Sequence, residues 1–170
     1  TATVDFSATG AAVADNDVVI SADDITIGAG LSTAASSAND GSVTLTASGN
    51  DVDTTGAVDI DGSLTVTSAD QFTTAGALNA ENDISVTADD YVATTTTTTQ
   101  AGALTINVTN DVDLNGAVTV VGGGATITQT ASTGSVNLTG GNLTVDNDTT
   151  VSGENVTLAQ ATTVAGNLTI

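Results

Sequence analysis

The chain is 170 residues long and carries 20 acidic side chains, with no lysine, arginine or histidine to offset a formal charge of −20. That excludes side-chain ion pairs, phosphate cradles and contacts to a nucleic-acid backbone, each of which needs a cationic group. With no cysteine there is no disulfide framework or thiolate metal site, and no run approaches the roughly 18 apolar residues of a membrane span.

Acidic chains rich in Thr, Asn and Gly are often disordered, but here charged residues are only 12% and hydrophobic ones 39%. The apolar residues also alternate with polar ones instead of scattering, which argues for a packed core. In chain order the alternating pairs are Val43/Leu45, Leu64/Val66, Ile84/Val86, Leu104/Ile106, Val112/Leu114, Val118/Val120, Val136/Leu138 and Leu143/Val145. Each has the period of two that marks a strand with one buried face. Asn-Asp, Asn-Gly or Gly-Gly stands between them, residues that tolerate tight corners. The run of six threonines at 94–99 keeps the alternation without apolar residues. Either threonine methyls fill the core there or the segment bulges out as a loop.

A longer period overlies the alternation. Val52, Phe72, Val92 and Val112 follow one another at intervals of 20, as do Asn50, Asp70, Asp90 and Asn110. Gly56, Gly76 and Gly116 hold a third phase, with Thr96 where a further glycine would fall. Residue types returning at a fixed phase are what stacked coils produce, whereas hairpins carry turn signals every 8–12 residues without such a phase. The sequence therefore predicts an all-β protein: one parallel β-helix, or β-solenoid, over residues 1–170. Each coil takes about 20 residues and three short strands, so roughly eight coils make a rod on the order of 40 Å long.

The acids admit two readings. Calcium wants several converging oxygens, and Asp51, Asp53, Asp70, Asp90, Asp111 and Asp113 are the candidate ligands, with Asp70 stacked on Asp90 along a corner. Alternatively these are turn residues whose side chains satisfy backbone amides at the corners. No other cofactor is implied. Paired carboxylates can also hydrolyse glycosides, but a chain without cations would repel acidic polymers and lacks the base a lyase needs. No enzymatic activity is expected. Thr44/Thr46, Thr65/Thr67 and Thr126/Thr128 suggest a Thr-x-Thr face of the kind that binds ice, interrupted by Ser85, Asn107 and Asn137. The stretch from Tyr91 to Thr99 is the one candidate for a protruding binding loop.

The segments GSVTLTASGN, GSLTVTSAD, NDISVTADD, GALTINVTN and GSVNLTGGNLTV resemble the coils of filamentous-haemagglutinin-type adhesins and autotransporter passengers. The resemblance lies in repeat pattern and composition. It implies a right-handed shaft, secreted to the cell surface, serving adhesion, coating or fibre formation, with host, cell-surface or polysaccharide contacts.

Neither TATVDF at the start nor AGNLTI at the end reads as a polar cap. Joined, they echo the internal stretch GALTINVTNDVDLNGAV. Either the chain is a segment of a longer array, in which the echo is one more repeat, or the expected partner is a second copy, stacked head to tail through Thr1, Ala2, Thr3, Val4 and Phe6 at one end and Leu168 and Ile170 at the other.

Overall fold

The computed structural model describes residues 4–34, 41–158 and 161–170. These residues form three parallel eight-stranded sheets and no helix. The first face contains β1 (Phe6–Ala8), β4 (Ile25–Ile27), β7 (Val52–Thr54), β10 (Gln71–Thr74), β13 (Asp90–Ala93), β16 (Val112–Leu114), β19 (Ser135–Leu138) and β22 (Asn155–Leu158). The second contains β2 (Ala12–Ala14), β5 (Gly30–Thr33), β8 (Ala57–Ile60), β11 (Leu78–Ala80), β14 (Thr97–Thr99), β17 (Val118–Val120), β20 (Leu143–Val145) and β23 (Thr162–Val164). The third contains β3 (Val18–Ala22), β6 (Val43–Ala47), β9 (Leu64–Ser68), β12 (Ile84–Ala88), β15 (Leu104–Val108), β18 (Ala125–Gln129), β21 (Thr149–Ser152) and β24 (Leu168–Thr169). Each strand pairs with the strand three later in the chain, so every coil stacks on the one before. This is the β-solenoid expected from the repeat.

The physical reason is visible in the registers. Val, Leu, Ile and Thr suit extended backbone, and their alternation turns one residue in two inward. Inward residues then form columns, as in Leu64–Ile84–Leu104 and Val66–Val86–Ile106, all at most 1% exposed. The coil lengths drift, but the extra residues fall between strands and the columns stay aligned. Val18 pairs with Val43, Leu64 with Ile84 and Ala125 with Thr149 without a break in inward order.

Two expectations change here. The column opposite Val52 and Phe72 continues through Tyr91 and Val112, while Val92 faces outward opposite Asp113. One coil is a residue shorter than the sequence period, and a one-residue shift reverses which side chains point in. Tyr91 is consequently buried, stacked on Phe72 with ring centroids 5.0 Å apart and planes 7° from parallel. The segment from Tyr91 to Thr99 is therefore no protruding loop. Its threonines complete a strand: Thr97 is buried between Leu78 and Val118, and Thr99 between Ala80 and Val120. Threonine fills the core by its methyl, and the Thr99 hydroxyl is satisfied by donating to the Gly102 carbonyl at 2.8 Å.

Close stacking also explains one glycine phase. A Cβ placed on Gly76 would lie 2.3 Å from the carbonyl carbon and oxygen of Gly56 in the coil beneath. Gly76→Ala is expected to force the two coils apart and lower stability by about 1–3 kcal/mol, measurable by urea unfolding.

Candidate functional site

The corner entering the first face carries a ladder of acids, and its geometry separates the two readings of them. The Asp51 amide donates to Asp24 Oδ1 at 3.2 Å, and the Gln71 amide donates to Asp51 Oδ1 at 3.0 Å. Further along, the Asp111 amide donates to Asp90 Oδ1 at 2.9 Å, and Asp111 Oδ1 accepts from the Ser135 amide at 2.7 Å and the Ser135 hydroxyl at 2.8 Å. Each carboxylate thus accepts a backbone N–H from the next coil. That contact replaces water around an amide which the turn would otherwise leave unpaired. A second ladder runs along the corner entering the third face. There Asp17, Asp83 and Asp148 accept the amides of Ser42, Ala103 and Asn167, and the Ser42 and Ser63 hydroxyls do the same for Ser63 and Asp83.

The six candidate calcium ligands are not brought to one point. Asp51, Asp53 and Asp70 line a polar cleft with Asp24, Thr26 and Asn50. Asp90 and Asp111 lie further along the corner, and Asp113 faces outward, accepting from Asn137 Nδ2 at 2.8 Å. Asp70 does not stack on Asp90: the residue in register with Asp90 is Gln71, because of the same short coil that turns Tyr91 inward. The closest acidic group among the described residues is one the spacing did not single out. Asp5, Asp23 and Asp24 can bring one oxygen each within 4.8 Å of one another. The adjacent pair Asp23-Asp24 was its one signal, and its third member comes from the coil below.

Asp53 differs from its neighbours electrostatically. Partial burial raises its pKa above the ordinary 3.8, the charge of Asp51 adds to this, the polar Thr73 hydroxyl nearby opposes it and Asp24 contributes a little more. A raised value means that the folded state holds its proton more tightly than the unfolded one. Stability therefore falls as pH rises from 3.8 through the raised pKa. Asp53→Asn is expected to flatten that decline and to raise the denaturation midpoint at neutral pH, as read by urea unfolding at several pH values.

The third face differs from the other two in its outward side chains. Its strands are the longest, five residues in β3, β6, β9, β12, β15 and β18, so each turns two residues outward. In register these make one column of Val19, Thr44, Thr65, Ser85, Thr105, Thr126, Thr150 and Thr169. The second column is Ser21, Thr46, Thr67, Thr87, Asn107, Thr128 and Ser152. Ser85 and Asn107 stand in the net as expected, but Asn137 belongs to the first face, opposite Asp113.

The interface residues foreseen at the ends divide in two. Thr1, Ala2 and Thr3 lie outside the described residues. Val4, Phe6, Leu168 and Ile170 are exposed, by 69%, 36%, 41% and 68%. Beside Phe6 an apolar mouth opens, lined by Ala12, Val18, Ile20, Ile27 and Leu31 among others.

No family model matches this chain, and neither a curated protein nor a solved structure matches it. No helix among the described residues is long and apolar enough to cross a membrane.

Proposed function

We propose that the protein is a non-enzymatic structural solenoid whose ends stack on further coils, so that copies join head to tail into a surface filament. The observation that carries this is the state of the two end coils. β1, β2 and β3 are edge strands at one end, and β22, β23 and β24 are edge strands at the other. Among the described residues each set has a strand neighbour on one side only, on all three sides of an open apolar core. Among the described residues, Phe6 and Leu168 stand at inward register positions, opposite Ile25 and Thr149, yet are exposed by 36% and 41%, and Val4 and Ile170 near them by 69% and 68%. Because all pairing is parallel, the ends complement each other instead of themselves. A contact of that kind is heterologous and propagates.

The acids support the same reading. They project from corners and from the first two faces along the rod, so rods repel sideways while their ends meet. An extracellular location and an adhesin-like shaft rest on the resemblance in repeat pattern, and calcium or protonation would act by weakening the lateral repulsion.

Two end-blocked variants test the polarity. Ile20→Asp places a carboxylate in the apolar mouth of the first coil, and Val164→Asp places one opposite Val145, against the core, in the last coil. Sedimentation velocity should show assemblies for the unmodified chain and monomers for either variant alone. Mixed, the two variants should form a dimer and stop, since each keeps one working end. A mixture that stays monomeric, or a single variant that still polymerises, would overturn the proposal. Circular dichroism on each variant checks that the solenoid is retained.

A further inference from the structure

We infer that the third face is an ice-binding surface: from β6 onward its two columns of Thr, Ser and Asn form a net that fits the ordered water of a crystal. The inference does not rest on filament formation, because a single rod and a filament present the same face.

Three observations carry it. The first is the dimension of the net. Neighbouring strands of a sheet lie about 4.8 Å apart and alternate residues of one strand about 6.7 Å apart. The third face repeats that rectangle along the rod without slip, through six successive strand pairings from β3 to β21. Both spacings are close to those between oxygens on the low-index faces of hexagonal ice. On the first and second faces most strands are three or four residues long, and β1, β2, β4 and β7 each turn only their middle residue outward, so no second column runs the length of those faces.

The second observation is charge. Among the described residues no acidic side chain falls within a strand of the third face, although acids occur at its corners and on the strands of the other two. Asp53 and Asp113 stand outward on the first face and Asp59 on the second. Asp17, Asp83 and Asp148 border the third face but turn a carboxylate oxygen into the backbone of the next coil. A carboxylate organises water around its own charge, in an arrangement that an ice lattice does not share. Its exclusion from one face of so acidic a chain leaves that face alone suited to a neutral crystalline water layer.

The third is the chemistry of the columns. Threonine offers a methyl and a hydroxyl on one stiff side chain, and β-branching restricts its χ1. Holding a row of such groups in one orientation costs little side-chain entropy. Thr65, Thr67, Thr87, Thr126 and Thr150 are all exposed. A crystalline polysaccharide would fit this face less well, since sugar rings pack on aromatic platforms. Phe72 and Tyr91 are fully buried, and Phe6 lies on the first face.

The test is thermal hysteresis and ice-crystal shape in a solution of the purified chain. The unmodified protein should facet a seed crystal and hold it without growth over a measurable interval below melting. Thr87→Tyr and Thr126→Tyr, which break the net at exposed positions, should each lose most of that interval. Thr144→Tyr, on the second face, should keep it. Circular dichroism and urea midpoints matching the unmodified chain establish that each variant is folded. Round, unshaped crystals with the unmodified chain would overturn the inference. So would equal loss in Thr144→Tyr, retention in both third-face variants, or a side-by-side dimer that covers the third face and leaves ice untouched.

Discussion

Phe72→Ala is expected to lower the free energy of unfolding by about 3–5 kcal/mol, read as a shift of the urea midpoint with little change of slope. Phe72 is fully buried in the column between Val52 and Tyr91, and its ring stacks on Tyr91 at 5.0 Å. Truncation removes the transfer free energy of the ring and the aromatic contact. It also leaves a cavity that neighbouring coils cannot close, because their backbones are fixed by strand pairing on all three faces. In a solenoid each coil contacts only its neighbours, so a defect in the centre weakens two interfaces at once. Phe72→Leu, which retains most of the volume, should recover more than half of the loss.

Raising the pH above 10 should destabilise the protein through a single side chain. The chain has one tyrosine and no lysine, arginine, histidine or cysteine, so Tyr91 is the only side chain that titrates in the alkaline range. Burial pushes its ionisation from 10.0 up to about 12, against a smaller opposing effect of the Thr97 and Thr74 hydroxyls nearby. None of these three hydroxyls has a hydrogen-bond partner of ordinary geometry. Below pH 10 both the folded and unfolded states hold the proton, and stability is unaffected. Between 10 and about 12 the unfolded state releases the proton while the folded state keeps it, so stability falls as pH rises. The loss totals roughly 3 kcal/mol and is complete above the folded pKa. Urea unfolding across this range, followed by tyrosinate absorbance, should show the decline in the unmodified chain. Tyr91→Phe should show none. At neutral pH that variant should be as stable as the parent or slightly more so, since it removes a buried hydroxyl without a partner.

The solenoid was legible because its cause is local and repeated. Pairs such as Leu104/Ile106 and Val112/Leu114 fix strand and face, and the return of residue types at a constant phase fixes stacking. What the period concealed was the drift of single coils. Phe72 and Tyr91 are 19 residues apart, not 20, and that difference turned Tyr91 inward, displaced Val92, and set Gln71 rather than Asp70 against Asp90. The threonines at 97 and 99 were ambiguous for another reason. Threonine is polar by composition but half apolar by shape, and only the columns above and below show that a methyl suffices there. The role of the corner acids was not decidable from spacing alone, since the amide that satisfies each carboxylate comes from the next coil. The third face read as broken at Ser85, Asn107 and Asn137; the first two do stand in its columns, whereas Asn137 lies at a similar distance along the chain but on a different sheet.

A head-to-tail filament requires that the coils of one copy continue into those of the next. Electron microscopy of the isolated chain, with electron diffraction from aligned material, measures this directly. Long uniform fibres one solenoid wide, with a meridional reflection near 4.8 Å along their axis, are the predicted result. Separate rods on the order of 40 Å long, unchanged by concentration and showing no axial growth, would contradict it.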